Sequence, residues 1–197
     1  MKKAIAGCGI LVVLGIALLA LTGLGVYNRL VTLDEGVRTA WGQVENVYQR
    51  RADLIPNLVE TVRGARDFEQ ETLIAVVEAR SRVGQAVSPG QAPSAAQLEQ
   101  FQQAQDALSS ALSRLLVVVE RYPDLKATEA FRDLMAQLEG TENRIAVERR
   151  RFNEAVQQYN TSRRRIPAAF FARLFGFDEK PYFQAAPGSD QTPLVQF

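Results

Sequence analysis

An uncharged, largely apolar run from Ala4 to Asn28 constrains this chain more than any other feature. About 25 residues, at a helical rise of 1.5 Å each, are long enough to cross the roughly 30 Å hydrocarbon core of a bilayer. Lys2 and Lys3 precede the run, as in a cleaved signal peptide, but the run exceeds a signal core and lacks a convincing cleavage site. We therefore predict that residues 1–28 form a single-pass transmembrane anchor.

The basic residues on either side of this run bear on its orientation. Lys2 and Lys3 stand before it, whereas Arg29 and Arg38 follow it closely. Because positive charge is retained on the cytoplasmic side of a membrane, the pattern mildly favours an inside N-terminus. The domain that follows is then predicted to be periplasmic or extracellular, with a cytoplasmic domain as the alternative.

After the anchor, apolar residues recur at three- and four-residue steps, the pattern of coiled-coil-like helices. The first stripe contains Leu30, Leu33, Val37, Ala40, Val44, Val47, Leu54 and Leu58, with Arg51 as its one polar member. Further helices are predicted over about 68–86, 95–121 and 126–164, separated by "SPGQAPS" and by "YPD". Because the stripes must face one another to be buried, residues 29–165 are predicted to form an antiparallel four-helix bundle, an all-α fold.

The ends and interruptions of these helices carry their own signals. Ser94 is predicted to cap the third helix. Pro56 removes a backbone donor and crowds the carbonyl group of Ala52, which predicts a kink, and Gly64 marks the weak point that follows. The alternative is an uninterrupted rod through both positions, which would give a domain of three long helices.

The composition changes after Ile166-Pro167, and residues 166–197 are predicted to be an aromatic-rich C-terminal tail, beginning "AAFFARLFGFDEKPYF". In an up-down-up-down bundle the fourth helix returns to the membrane, which brings the start of this tail near the headgroups. Arginines above phenylalanines are typical of interfacial segments. The candidate membrane-interface residues are Arg163, Arg164, Arg165, Phe170, Phe171, Leu174 and Phe175.

Polar residues flanking the stripes form the other candidate site. Its members are Trp41, Glu45, Asn46, Arg50, Arg51, Asn57, Glu139, Glu142, Asn143 and Arg144. One interpretation is that Arg50 and Arg51 bind an acidic partner. The interpretation we favour is a set of ion pairs and amide bonds between facing helices, which fixes helix register. Trp41 is expected to pack as an anchor in the core or at the bundle edge.

Composition excludes most catalytic chemistry. The chain has no histidine and one cysteine, which excludes Cys/His zinc sites, a histidine general base and an intramolecular disulfide. Its net charge of +1 arises from alternating acids and bases, which does not favour nucleic-acid binding. We predict no enzyme, cofactor or metal site; the alternative is an enzyme with paired carboxylates at Glu139 and Glu142.

Three stretches resemble the LemA family: "YNRLVTLDEGVRTAWGQVENVYQRRADLIPNLVETVRG", "ETLIAVVEARS" and "RYPDLKATEAFRDLMAQLEGTENRIAVERRRFNEAVQQYN". The resemblance extends from about Tyr27 to the terminal "PLVQF" and is weakest between Gly84 and Ala96. Phe68 stands where many relatives carry a histidine. The resemblance implies a single-pass bacterial membrane protein with a four-helix bundle, in a family without an agreed activity, and it supplies no catalytic residues.

Together these features predict a non-catalytic function. We expect a non-catalytic scaffold or adaptor in the bacterial cytoplasmic (inner) membrane, with the lipid bilayer as its first partner. We expect it to self-associate as a homo-oligomer or to recruit other membrane proteins.

Overall fold

The computed structural model describes residues 2–65, 68–86, 90 and 92–184. Over these residues the chain contains helices and no strands, which confirms the all-α prediction. The helices are α1 (Lys2–Arg63), α2 (Gln70–Gln85), α3 (Ala95–Val119), α4 (Pro123–Ala127), α5 (Glu129–Arg164) and α6 (Ala168–Phe175). An extended segment over residues 177–184, here called the strap, follows α6. The predicted tail beyond residue 184 and part of the 84–96 loop lie outside the described residues.

The 62-residue helix α1 runs from the apolar segment straight into the domain. It passes through Pro56 without ending, and the carbonyl group of Ala52, which Pro56 deprives of its backbone donor, accepts a 2.9 Å hydrogen bond from Nε of Arg80 in α2. The bend expected at Pro56 stays a prediction. The three-helix alternative is wrong, because α1 ends at Arg63 and α2 begins at Gln70.

Capping residues explain where the later helices begin. The cap at Ser94 is confirmed: its hydroxyl accepts from the N–H of Gln97, and the Gln97 side chain accepts from the N–H of Ser94. The prediction of one fourth helix from about Lys126 is wrong at its start. Thr128 has extended backbone, and its hydroxyl accepts a 3.3 Å hydrogen bond from the N–H of Phe131, so a separate helix, α5, begins after it.

Contacts between side chains give the directions of the helices. Trp41 of α1 contacts Phe152 of α5. Arg51, which lies later in α1, contacts Glu142, which lies earlier in α5, so these two helices are antiparallel. Trp41 also contacts Phe101 of α3, and Arg51 contacts Ser109, which lies further along α3. The helices α1 and α3 are therefore parallel. The helix α2 runs antiparallel to its two neighbours, as the contacts Arg80–Ala52 and Glu69–Arg121 indicate.

Two buried clusters hold these helices together. The first, near the end of α1 and here called the distal cluster, includes Ile55, Leu58, Val62, Val76, Leu108, Leu115, Phe131 and Leu138. The second, here called the aromatic cluster, includes Val37, Trp41, Val44, Tyr48, Phe101, Phe152, Val156, Tyr159 and Phe183. Phe183 belongs to the strap, so the C-terminal segment contributes to the core.

The short helix α6 lies against the N-terminal part of α1. A Cβ atom added to Gly23 would lie 2.9 Å from the ring of Phe171, so the glycine is what permits this close approach. Tyr27 of α1 meets Phe175 edge to face, with ring centroids 5.2 Å apart. Gly176 then ends α6 in the left-handed region at φ 73°, which turns the strap back along the domain.

Candidate functional site

Arg51 is the most deeply buried charged residue in the part of the chain that the structure describes, at 2% exposure. Its Nη1 atom donates to Oγ of Ser109 at 3.1 Å and to Oε1 of Glu142 at 2.7 Å, and its Nη2 atom donates to Gln105. Its guanidinium carbon lies 5.2 Å from the ring centroid of Tyr48. One guanidinium group therefore links α1 to both α3 and α5.

Of the predicted polar constellation, Arg51 and Glu142 are brought into direct contact. Six other members lie exposed on the surface: Asn46, Arg50, Asn57, Glu139, Asn143 and Arg144. Gln105 and Ser109, two of the three residues that bind Arg51, are not among the predicted residues. A polar residue in an apolar stripe was the available signal, but it pointed to Arg51 and not to its partners on another helix.

Trp41 lies in the aromatic cluster at 3% exposure. Its ring meets Phe101 and Phe152 edge to face, at centroid distances of 5.4 and 5.6 Å, and stacks on Phe183 at 6.0 Å. Trp41 is therefore a packing residue. Among the described residues, its neighbours leave neither face of the indole ring open to a ligand. Its Nε1 atom is buried without a hydrogen-bond partner of ordinary geometry among them.

Glu45 lies one helical turn after Trp41 and is partly buried. Burial raises the pKa of its carboxyl group, while the indole N–H of Trp41 and the backbone of Gly90 lower it by a smaller amount. The Oε1 atom of Glu45 has no hydrogen-bond partner of ordinary geometry in the described part of the chain. The folded chain therefore carries a cost for keeping this carboxylate ionised.

A cavity of about 460 Å³ adjoins Glu45, and Tyr48, Arg80 and Gln105 also line it. Burial raises the pKa of the Tyr48 phenol, so this group stays protonated at neutral pH. Glu45 is the one carboxylate among the described lining residues. Among the described lining residues, Glu45 therefore has no second carboxylate with which to form a pair of acids.

The alternative carboxylate pair, Glu139 and Glu142, lies on the outer side of α5. Both residues border an apolar cavity of about 270 Å³ between α3 and α5, which Leu112 and Met135 also line. Glu142 is engaged by Arg51 at 2.7 Å, so its carboxylate already has a cationic partner. In this arrangement Glu142 takes part in a salt bridge that joins α5 to α1.

Side chains of α5 hold the backbone of the strap. Asn160 donates to the carbonyl group of Lys180 at 2.9 Å and accepts from its N–H at 3.0 Å. Asn153 binds both backbone groups of Phe183 in the same way, at 3.2 and 2.9 Å. The Tyr159 hydroxyl donates to the carbonyl group of residue 178 at 2.8 Å, and burial, with a smaller effect of an acid on α1, raises its pKa to about 12.

The predicted membrane-interface residues divide into two groups. Phe170, Leu174 and Phe175 are exposed on α6, and so are Arg164 and Arg165 at the end of α5. The other two are engaged within the protein. Phe171 is buried against α1, while Arg163 donates to the carbonyl group of residue 177 at 2.7 Å and lies 3.6 Å from a carboxylate oxygen of residue 179.

The N-terminal part of α1 is long and apolar enough to cross a membrane. Large apolar side chains there are exposed in the structure, among them Leu11, Leu14, Ile16, Leu18, Leu19, Leu21 and Leu24. Within the described residues, no group of three or more Cys, Asp or Glu side chains is placed to hold a metal ion. The buried polar centre at Arg51 joins helices to one another.

The fold and these sites define a class: all-helical proteins in which one long helix joins an apolar, membrane-length segment to a packed helical domain. The chain belongs to the LemA family, which it matches over residues 40–197. It is 28% identical to the magnetosome protein MamQ 2 of Paramagnetospirillum magneticum over 188 residues, covering 86% of this chain and 68% of the relative. MamQ 1 of the same organism matches equally, and MamQ of Magnetospirillum gryphiswaldense is 27% identical over the same length.

Proposed function

We propose that this chain is a non-catalytic scaffold or adaptor, anchored in the bacterial inner membrane by a single span, that self-associates or recruits other membrane proteins. The observation that carries the proposal is the continuity of α1, which is one helix from the apolar segment to Arg63. Because no flexible linker separates the proposed anchor from the domain, the domain lies at a fixed distance from the anchor along α1. Such geometry suits a protein that positions partners.

The arrangement of the domain supports a four-helix bundle over residues 29–165. Along the chain, α1, α2, α3 and α5 alternate in direction, and both buried clusters contain side chains from α1, α3 and α5. Arg51 fixes the relative register of these three helices, since a shift of one helix by a turn would separate its guanidinium group from Gln105 or Glu142. This is the register role proposed for the polar constellation.

The position of α6 supports a second contact with the lipid. Phe171 touches Gly23, which precedes Arg29 by six residues, or about 9 Å along the helix axis. Arg29 is the first charged residue of α1 after the uncharged run, so the contact at Gly23 lies below the level at which charge begins on α1. The helix α6 carries one charged side chain of its own, the exposed Arg173. A depth of about 5–10 Å is typical of interfacial helices. The exposed side chains of Phe170 and Leu174 would then lie among acyl chains.

The relatives supply supporting context. Their names refer to a magnetosome and not to a chemical reaction. This supports a structural role at a membrane for the present chain as well. Following the flanking charges, we propose a periplasmic or extracellular position for the domain, which protease protection in right-side-out vesicles tests.

Crosslinking in intact cells, followed by gentle detergent extraction and native sizing, tests the scaffold proposal. We expect species larger than the monomer that contain a second copy or a co-purifying membrane protein. A matched control replaces residues 4–22 with leucines, which keeps Gly23 beneath Phe171; assembly that persists is then driven by the domain. A strictly monomeric protein with no co-purifying partner would contradict the proposal.

A further inference from the structure

A surface cavity of about 290 Å³ lies between α1 and α5, close to where the uncharged run ends. Arg29 of α1 and Arg165 at the end of α5 both line it. The other polar residues of its lining are Gln157, Gln158, Thr161 and Ser162. None of the described lining residues is acidic, so the cavity presents two cations together with neutral amides and hydroxyls.

The two arginines are not neutralised by the protein. Neither Arg29 nor Arg165 lies within 4.0 Å of a carboxylate oxygen in the described part of the chain, and both are exposed. Nearby acids have other partners. Asp34 binds Lys180 at 2.7 Å, and the carboxylate of residue 179 lies 3.6 Å from the guanidinium group of Arg163. The positive charge of the cavity is therefore available to an anion from outside the chain.

The position of the cavity along α1 indicates which class of anion can bind there. Arg29 follows the uncharged run directly, and α6 contacts α1 about 9 Å deeper along the helix axis, at Gly23. If the run spans the bilayer, as the proposed function requires, the cavity opens among the phospholipid headgroups. Ile166, next to Arg165, is 93% exposed and supplies an apolar surface beside the cavity for an acyl chain.

We propose that this cavity is a binding site for the headgroup of an anionic phospholipid. Arg29 and Arg165 pair with the phosphate, because a guanidinium group offers two parallel N–H donors that match phosphate oxygens. The hydroxyl of Thr161 and the neighbouring side-chain amides hydrogen bond to the polar part of the headgroup. The inference rests on the proposed membrane role and adds a specific lipid site to it.

Native mass spectrometry of the full-length chain, extracted from bilayers that contain phosphatidylglycerol and phosphatidylcholine, tests the site. We expect the wild type to retain phosphatidylglycerol in preference to phosphatidylcholine. Arg29→Gln and Arg165→Gln should each lower this retention by about tenfold, the effect of losing one charge-assisted hydrogen bond. Arg164→Gln is the matched control, since Arg164 is exposed beside Arg165 but does not line the cavity.

Equal losses in all three variants would indicate diffuse attraction to a charged surface and would overturn the site. Inorganic phosphate, titrated into the chain in phosphatidylcholine nanodiscs, should show no saturable binding. Binding of phosphate as tight as that of the lipid would overturn the assignment to a headgroup. Flotation with pure phosphatidylcholine vesicles checks the proposed function separately: failure to float refutes the anchor, whereas flotation without preference for phosphatidylglycerol refutes only the headgroup site.

Discussion

At the scale of single residues, Arg51 combines burial with a charge. Its guanidinium group occupies a stripe position that would otherwise hold an apolar side chain, and its Nε atom has no partner among the described residues. The counter-ion Glu142 is 51% exposed, so solvent screens part of their attraction. The hydrogen bond to Gln105 is buried, so solvent does not screen it in this way. We therefore expect the amide contact to contribute more to stability than the ion pair does.

Substitution of Arg51 tests this ranking. We expect Arg51→Met to lower the free energy of unfolding by about 1–3 kcal/mol, because Gln105 is left buried without its partner. Glu142→Gln should cost less than about 1 kcal/mol, since Arg51 keeps its bonds to α3. Urea unfolding of the full chain in detergent micelles, followed by circular dichroism, measures both values. Because Arg51→Met removes both contacts, a loss for Glu142→Gln as large as that for Arg51→Met would show that the ion pair dominates.

The raised pKa of Glu45 gives a pH dependence with a definite sign. In the range just above the ordinary value of 4.5, the folded chain binds more protons at Glu45 than the unfolded chain does. Stability therefore falls as pH rises through this range. Glu45→Gln should stabilise the fold at neutral pH, and the gain should vanish below pH 4.5. Thermal unfolding at several pH values measures it, with the exposed Glu139→Gln as control; a gain independent of pH would contradict the assignment.

The burial of a residue was predictable where the apolar pattern of its own helix indicates it, whereas its partners on other helices were not. Arg51 stands out as a polar residue in an apolar stripe, and the stripe alone indicates that it is buried. Its bonds to Gln105 and Ser109 depend on the register between α1 and α3, which two separate periodic patterns leave undetermined. For the same reason, contact between Glu142 and Arg51 was one candidate pairing among several.

At the scale of helices, the continuity of α1 through Pro56 depends on another helix. Arg80 of α2 supplies the donor that the carbonyl group of Ala52 lacks. We expect Arg80→Ala to destabilise the fold by about 1–2 kcal/mol, because the carbonyl group is left without a donor. In a Pro56→Ala background this cost should shrink, since residue 56 then donates through its own N–H.

A double-mutant cycle on these two positions measures the coupling directly. Unfolding of the wild type, both single variants and the double variant by urea gives the four required free energies. A cost of Arg80→Ala that is the same with and without Pro56 would show that its contribution comes from packing and not from the Ala52 carbonyl group.

Helix boundaries were predictable where a cap adjoins a strong breaker. Ser94 follows a proline- and glycine-rich stretch, and the helix begins directly after it. Thr128 has no breaker beside it, so the sequence does not mark its cap, and the predicted start at about Lys126 precedes the observed start of α5 at Glu129. The strap has no apolar period at all. Asn153 and Asn160 hold the strap in place through hydrogen bonds. Because these two residues lie far from the strap along the chain, the sequence does not predict the contacts.

At the scale of the whole molecule, two features determine the position that we propose for it relative to a membrane. From Arg29 to Arg63, α1 extends about 50 Å, so in the proposed arrangement the far end of the domain lies well away from the lipid. A single span leaves tilt and rotation open, and a second contact with the bilayer restricts both. The helix α6 supplies that contact in our proposal, and the strap ties it to the aromatic cluster through Phe183.

The depth of α6 is the measurement that decides this arrangement. Single cysteines at Phe170, Leu174 and Tyr182, introduced into a Cys8→Ser chain, carry a nitroxide label after reconstitution into vesicles. All three side chains are exposed within the protein, so only lipid distinguishes them. We expect labels at 170 and 174 to collide with oxygen and to be shielded from a water-soluble nickel complex, because α6 lies below the first charged residue of α1.

The label at Tyr182 is the internal control, since it reports on the strap, which runs beside α5 and away from the apolar part of α1. It should collide freely with the nickel complex. Equal access of nickel to all three labels would place α6 in water, and the apolar face of Phe170 and Leu174 would then require a protein partner instead of lipid. Shielding of all three would mean that the strap also lies in the bilayer, which contradicts its bonds to Asn153 and Asn160 on the domain.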